Sequence, residues 1–126
     1  MSRILLAGAM GAGLLFGSAA IAQTPAPVDQ ALFDTGQALF EANCVACHQA
    51  GGTGLPPVFP ALAGNDKLAE LALIVGNVHE GKGAMPAFAN LGAADIAALA
   101  TYVRNAWGNN FGGVTEAEVE AALAAL

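Results

Sequence analysis

Two cysteines three positions apart, with a histidine directly after the second, stand at Cys44-Val45-Ala46-Cys47-His48. Residue types and spacing together describe one piece of chemistry. On a single helical turn two thiols reach the two vinyl groups along one porphyrin edge. The histidine beside the second thiol is carried beneath the macrocycle, where its imidazole binds iron. Cys-x-x-Cys-His is the attachment signature of haem c. Other uses of the stretch fit less well. A structural zinc site needs a second ligand pair, and beyond these three residues the chain offers only His79 and no further cysteine. A thioredoxin-like redox pair belongs near a βαβ pattern, which this sequence lacks. A plain disulfide leaves the adjacent histidine without a purpose.

An iron bound by one histidine poses the question of its opposite side. Met1 and Met10 fall in the N-terminal stretch 1–22, read below as an export signal, so Met85 is the only methionine in the rest of the chain. It sits in Gly83-Ala84-Met85-Pro86, a loop that glycine and proline shape closely. Core-filling methionines normally lie on a helix or strand face, and this one does not. A thioether is a soft, neutral ligand, and Met/His ligation raises the potential of haem iron. Filling the sixth position also suppresses oxygen binding. Met85 is therefore the expected second axial ligand. His79 is its rival, although it falls near the end of a predicted helix, where an imidazolium suits the helix dipole without any ligand role.

The elements that must position these residues follow from the rest of the sequence. At 126 residues the chain holds one domain at most. Arg3 precedes an apolar run at 4–22 that ends Ala20-Ile21-Ala22, a small-x-small cleavage site, before Gln23-Thr24-Pro25. That order of charged, apolar and small-residue regions reads as an export signal at 1–22. An uncleaved membrane anchor is the alternative, since the run nearly reaches bilayer length. Cleavage after Ala22 leaves 104 residues with ten acids against Lys67, Lys82 and Arg104, a formal charge of −7. So acidic a domain excludes nucleic acid and anionic lipid as partners. Membrane contact is expected only through a partner or an uncleaved signal. A chain of about a hundred residues has a modest core, and a covalently held haem would staple it.

Residues 23–28 are Pro/Ala-rich and read as a flexible lead-in to a domain at 29–126. Asp29 is a candidate N-cap, and Phe33, Gly36 and Phe40 then share one helical face. This helix delivers the Cys44 to His48 turn. Glycines and Pro56, Pro57 and Pro60 exclude helix over 49–65 and predict a long loop able to wrap a haem edge. Asn65 or Asp66 caps a second helix, with Leu68, Leu71, Ala72 and Val75 at helical spacing and Gly81 as its stop. Gly92 or Ala93 opens a third, predicted to run through Trp107 with Ile96, Leu99, Ala100 and Val103 inward. Thr115-Glu116-Ala117-Glu118 is a capping box for a terminal helix at about 115–126.

With His48, Met85 and an all-helical pattern in place, the chain resembles the class I c-type cytochromes over approximately residues 33–107. The family's Gly-x-x-x-aromatic of the first helix is matched by Gly36 and Phe40, and its Leu-x-x-Tyr of the last by Leu99 and Tyr102. Its Pro-x-Leu-x-Gly is matched by Pro60-Ala61-Leu62-Ala63-Gly64, and its Gly-x-Met-Pro by Gly83-Ala84-Met85-Pro86. The resemblance implies an all-α cytochrome c fold, three to five helices around one covalent haem c, with the first and last helices crossing at the glycine. It also implies that the Pro60 carbonyl accepts the hydrogen bond of the ligand histidine. Residues 81–88 with Tyr102-Val103-Arg104-Asn105-Ala106-Trp107 are similar to haem domains of bacterial membrane-bound alcohol and aldehyde dehydrogenases. The lysine ring of mitochondrial-type relatives is missing.

The expected function is that of a periplasmic electron carrier rather than an enzyme. One electron at a time would pass between a dehydrogenase or respiratory complex as donor and an oxidase as acceptor. A tightly bound subunit of a periplasmic dehydrogenase is the alternative, with Val119, Leu123 and Leu126 as a contact stripe. A haem peroxidase or gas sensor is a third reading, for which the chain offers no distal acid/base group beyond His79.

Overall fold

The computed structural model describes residues 24–126. The expected export signal at 1–22 lies outside the described residues. Helix α1 (Gln30–Asn43) starts at its cap: the Asp29 carboxylate accepts from the Leu32 amide at 2.8 Å. That satisfies one of the donors that a helix N-terminus leaves open. α1 passes through a break at Cys44 into the four-residue α2 (Val45–His48).

α1 crosses α4 (Ala93–Val103), and the crossing is as close as Gly36 permits. A β-carbon on Gly36 would overlap the Ala98 carbonyl oxygen and lie 2.8 Å from Tyr102 Cβ. Glycine is required here for space. The close approach strings Phe33, Phe40, Tyr102 and Trp107 into one aromatic series with centroids 5.0–5.4 Å apart and steeply tilted rings. Such tilted arrangements bring the positive ring edge to the negative face of its neighbour.

Two helix expectations change. The segment after Asn65 forms two elements, not one. A 3₁₀ turn at Asp66–Ala69 is capped by Asn65 Oδ1, which accepts from the Lys67 amide. Glu70 is extended, and α3 (Leu71–Glu80) begins afresh and stops at Gly81, whose φ is 76°. The break frees the Ala69 carbonyl to accept from the Arg104 guanidinium at 3.1 Å, and it seats Leu68 in the core. Likewise α4 ends at Val103, short of Trp107. Asn105 stops it, donating to Thr101 O at 2.7 Å and exchanging two 3.0 Å bonds with the Gly112 backbone. Local side-chain bonds of this kind compete with helix continuation.

α4 is buried at every position from Ile96 to Val103, because α1, α3 and α5 (Glu116–Ala124) all pack on it. α5 opens on a reciprocal pair, Thr115 N–H to Glu118 Oε2 at 2.7 Å and Glu118 N–H to Thr115 Oγ1 at 3.3 Å. Residues 24–29 have no regular secondary structure but are anchored, with the Gly113 amide donating to Ala26 O at 3.1 Å. The described residues hold five α-helices and no strand; Leu55 with Phe59 and Lys82 with Met85 form isolated bridges.

Candidate functional site

The histidine side is built by the turn and the loop that follows. His48 Nδ1 lies 3.0 Å from the Pro60 carbonyl oxygen. A carbonyl only accepts, so Nδ1 carries the proton and Nε2 keeps a free lone pair. An imidazole held in this tautomer is ready to bind a metal, and the bond to Pro60 makes it a better donor. The loop fixes where that carbonyl points. Gly54 has φ of 60°, and a β-carbon there would overlap Phe59 O and lie 2.6 Å from Pro60 O. The Gly54 amide returns to His48 O at 2.9 Å, while Leu62 and Ala63 amides both donate to Gly52 O. Trp107 closes the start of the loop. Its Nε1–H donates to Ala50 O at 2.9 Å, and its ring lies against Gly52, where a β-carbon would come within 2.6 Å.

The methionine side is a tight turn. Lys82 and Met85 exchange backbone bonds of 3.0 Å each around Gly83, whose φ is 59°. Gly81, in the left-handed region, lets Met85 O approach to a distance that a β-carbon would cut to 2.7 Å. Phe88 N–H donates to Val78 O at 2.8 Å and returns the loop to α3. Met85 is half-buried against the core.

Cys44, Cys47, His48, Pro60 and Met85, the five residues singled out from the sequence, line one cavity of about 210 Å³. A second hollow of about 300 Å³ shares Cys44, His48, Pro60, Asn77, Lys82 and Met85 and extends inward to Phe40, Leu68, Ile74, Val78 and Leu99. The residues fit haem c: apolar walls for a porphyrin, two unpaired thiols at one edge, and a nitrogen and a sulfur donor on the lining. Burial, and then the neighbouring Cys47, push the Cys44 thiol up to about 11. Among the described residues no three His, Cys, Asp or Glu side chains are placed to hold a metal ion together. That arrangement does not fit a zinc centre, whereas the apolar walls and the thiol pair fit haem c.

His79 lines neither hollow; its Nδ1 is buried without a partner near the end of α3. Some residues that shape the site were not singled out from the sequence. Asn77 lines both hollows. Asn109, 8 % exposed, bonds to Gly64, Leu62 and Val103. A polar residue in a glycine-rich turn reads as solvated, and nothing in its sequence neighbourhood signals burial.

Comparison with known proteins agrees with this geometry. Residues 31–103 match the family model described as cytochrome c oxidase, cbb3-type, subunit III. Cytochrome c6 of Cyanidium caldarium is 36% identical over 80 residues, which cover 60% of this chain and 72% of that protein. The cytochrome c subunit of the quinone alcohol dehydrogenase of Gluconobacter oxydans (strain 621H) is 34% identical over 98 residues, 67% of this chain but 20% of that protein. Cytochrome c-552 of Thermus thermophilus is 34% identical over 85 residues, 54% of this chain and 65% of that protein. The cofactor is haem c, and the protein transfers electrons rather than catalysing a reaction of its own. A helical frame closed at a glycine, a thiol pair beside an oriented imidazole, and these matches leave one assignment: the chain belongs to the c-type cytochromes.

Proposed function

We propose that the protein is a periplasmic one-electron carrier, its single haem c bonded to Cys44 and Cys47 and ligated by His48 and Met85. The observation that carries this reading is that His48, with Nε2 free, and Met85 line the same cavity as the two thiols. Haem c, when bound, takes up and gives back one electron at its iron. Pro60 orients the imidazole. Met85 supplies a soft neutral donor, which favours the ferrous state. Leu68, Ile74, Val78 and Leu99 form a wall that keeps water from the centre.

Residues 1–22 serve as the export signal, 23–28 as the lead-in, and 29–126 as the haem domain with α5 as its terminal helix. The donor is a periplasmic dehydrogenase or respiratory complex and the acceptor an oxidase, met in small, transient contacts. No helix among the described residues is long and apolar enough to cross a membrane. The cavity mouth suits such encounters. Leu55 and Val58 are 56% and 62% exposed beside it, and Lys82 is the one charged residue on its lining. The permanent-subunit reading loses its contact stripe: Val119 is fully buried and Leu123 packs on the core, leaving only Leu126 exposed.

Two experiments test the proposal. The ferrous holoprotein is expected to resist carbon monoxide at neutral pH, and Met85→Ala to bind it readily with a lowered midpoint potential. Prompt stoichiometric binding by the parent protein would sink the His/Met assignment. Protein from its native source is expected to begin at Gln23 by mass spectrometry and to elute alone on size exclusion. A stable large complex would overturn the free-carrier reading.

A further inference from the structure

We infer that Asn109 is a positioning residue for the axial imidazole, acting on His48 through the Pro60 loop; this rests on His48 being the iron ligand, as proposed above. Asn109 lies beyond the end of α4, far from His48 in sequence. Its carboxamide nevertheless grips the segment that carries Pro60. Oδ1 accepts from the Gly64 amide at 2.9 Å, and Nδ2 donates to Leu62 O and to Val103 O, each at 2.9 Å. Both Nδ2 donors are thus used. One fastens the loop just after Pro60 and the other fastens Asn109 itself to the last residue of α4.

The consequence lies in the His48–Pro60 bond. Pro60 is exposed, and no side chain other than His48 itself bonds its carbonyl; its aim comes from the backbone on either side. On the near side the bare Gly54 leaves the space that lets Phe59 O and Pro60 O pack against its backbone. On the far side the Leu62 and Ala63 amides bond to Gly52 O, and Asn109 holds Leu62 and Gly64 from outside the loop. Asn109 is the side chain that references this far side to α4, and so to the Gly36 crossing. Loosening it lets the Pro60 carbonyl drift. A weaker Nδ1–H···O bond makes the imidazole a poorer donor, which stabilises the ferric iron less and raises the midpoint potential.

The test uses the haem-loaded protein and three variants. Asn109→Ala and the smaller polar change Asn109→Ser remove the grip, and the Ser variant serves where the Ala variant fails to accumulate. Val119→Ala, in the buried face of α5, is the control that lowers thermal stability without touching the loop. The readouts are the midpoint potential and the solvent exchange rate of the His48 Nδ1 proton by NMR. Both Asn109 variants are expected to raise the potential and to speed exchange about tenfold, the factor that loss of one ordinary hydrogen bond gives. Val119→Ala is expected to leave both unchanged. An unchanged potential and exchange rate in the Asn109 variants, or shifts that Val119→Ala reproduces, would overturn the inference. So would a fall in potential, which would report water entry instead. If the His48 ring of the parent protein shows no haem-induced NMR shift, the ligand assignment fails on its own, and the exchange rates still decide whether Asn109 holds the His48–Pro60 bond.

Discussion

The two sides of the cavity are built on different plans. On the histidine side, His48 reaches Pro60, and the loop is tied at Ala50, Gly52 and Gly54 before Pro60 and at Leu62 and Gly64 after it, by backbone bonds and by Trp107 and Asn109. The ties that reach the loop from outside come from Trp107 and Asn109, in the segment that follows α4. On the methionine side, a short turn at 82–85 hangs between Gly81 and a single bond from Phe88 to α3, and most of its residues are exposed. Segments with few buried contacts open most readily. Under the proposed ligation the imidazole is therefore fixed by the fold, and the thioether is the donor expected to leave and return. A carrier gains from that asymmetry, because the better-held ligand keeps the site intact while the other side faces partners.

Glycine substitutions on the two sides break the comparison most sharply. Gly54→Ala adds a β-carbon into Phe59 O and Pro60 O at a residue with φ of 60°. It is expected to cost about 2–4 kcal/mol from strain and overpacking and to disturb the whole protein. The measurement is thermal unfolding of the holoprotein together with its potential. Gly81→Ala meets Met85 O at 2.7 Å, also in the left-handed region. It is expected to cost less, about 1–2 kcal/mol, because a loosely tied turn can shift. Its signature should be carbon monoxide binding by the ferrous protein with a nearly normal melting temperature. Equal thermal losses in the two variants would erase the proposed asymmetry.

Much of the histidine side was legible in the sequence because its chemistry sits in contiguous residues. Cys44, Cys47 and His48 are adjacent, and Gly36 and Phe40 have helical spacing that the crossing uses directly. The place of Met85 on the cavity lining was legible by elimination and by the proline after it. What remained hidden depends on long-range pairing. The break at Glu70 serves the Ala69 carbonyl, which meets an arginine 35 residues away. Periodicity alone carries the pattern from Leu68 to Val75 straight through that break. The early end of α4 has the same origin, since Asn105 looks like an ordinary helix residue until Gly112 returns to meet it. Burial of Asn109 depends on a loop 45 residues earlier.

Smaller effects sharpen the comparison. Trp107→Phe keeps a ring against Gly52 but removes the donor to Ala50 O. The expected loss is about 1 kcal/mol of stability, read by denaturant unfolding. An accompanying change in potential, as with Asn109, would place the start of the loop in the same clamp. A change in stability alone would confine the clamp to its far end.

The smallest effect is expected far from both ligands, at the start of α5. The Thr115 backbone amide, and then its hydroxyl, hold the Glu118 carboxyl below the usual carboxylate range. A carboxyl with a lower pKa when folded than when unfolded stabilises the fold above its unfolded pKa. That contribution fades as pH falls through the folded value. Thr115→Ala removes the hydroxyl and leaves the backbone bond, so the parent protein should be more stable than the variant at neutral pH by about 1 kcal/mol, as for other N-caps. Part of that difference should vanish as pH falls through and below the ordinary carboxylate range, as Glu118 becomes protonated. Glu118 is exposed, so salt and solvent keep the pH-dependent share small. The midpoint potential should not move in this variant at neutral pH. If it does, α5 is coupled to the ligands through α4, and the division between a fixed histidine and a yielding methionine must be redrawn to include the terminal helix.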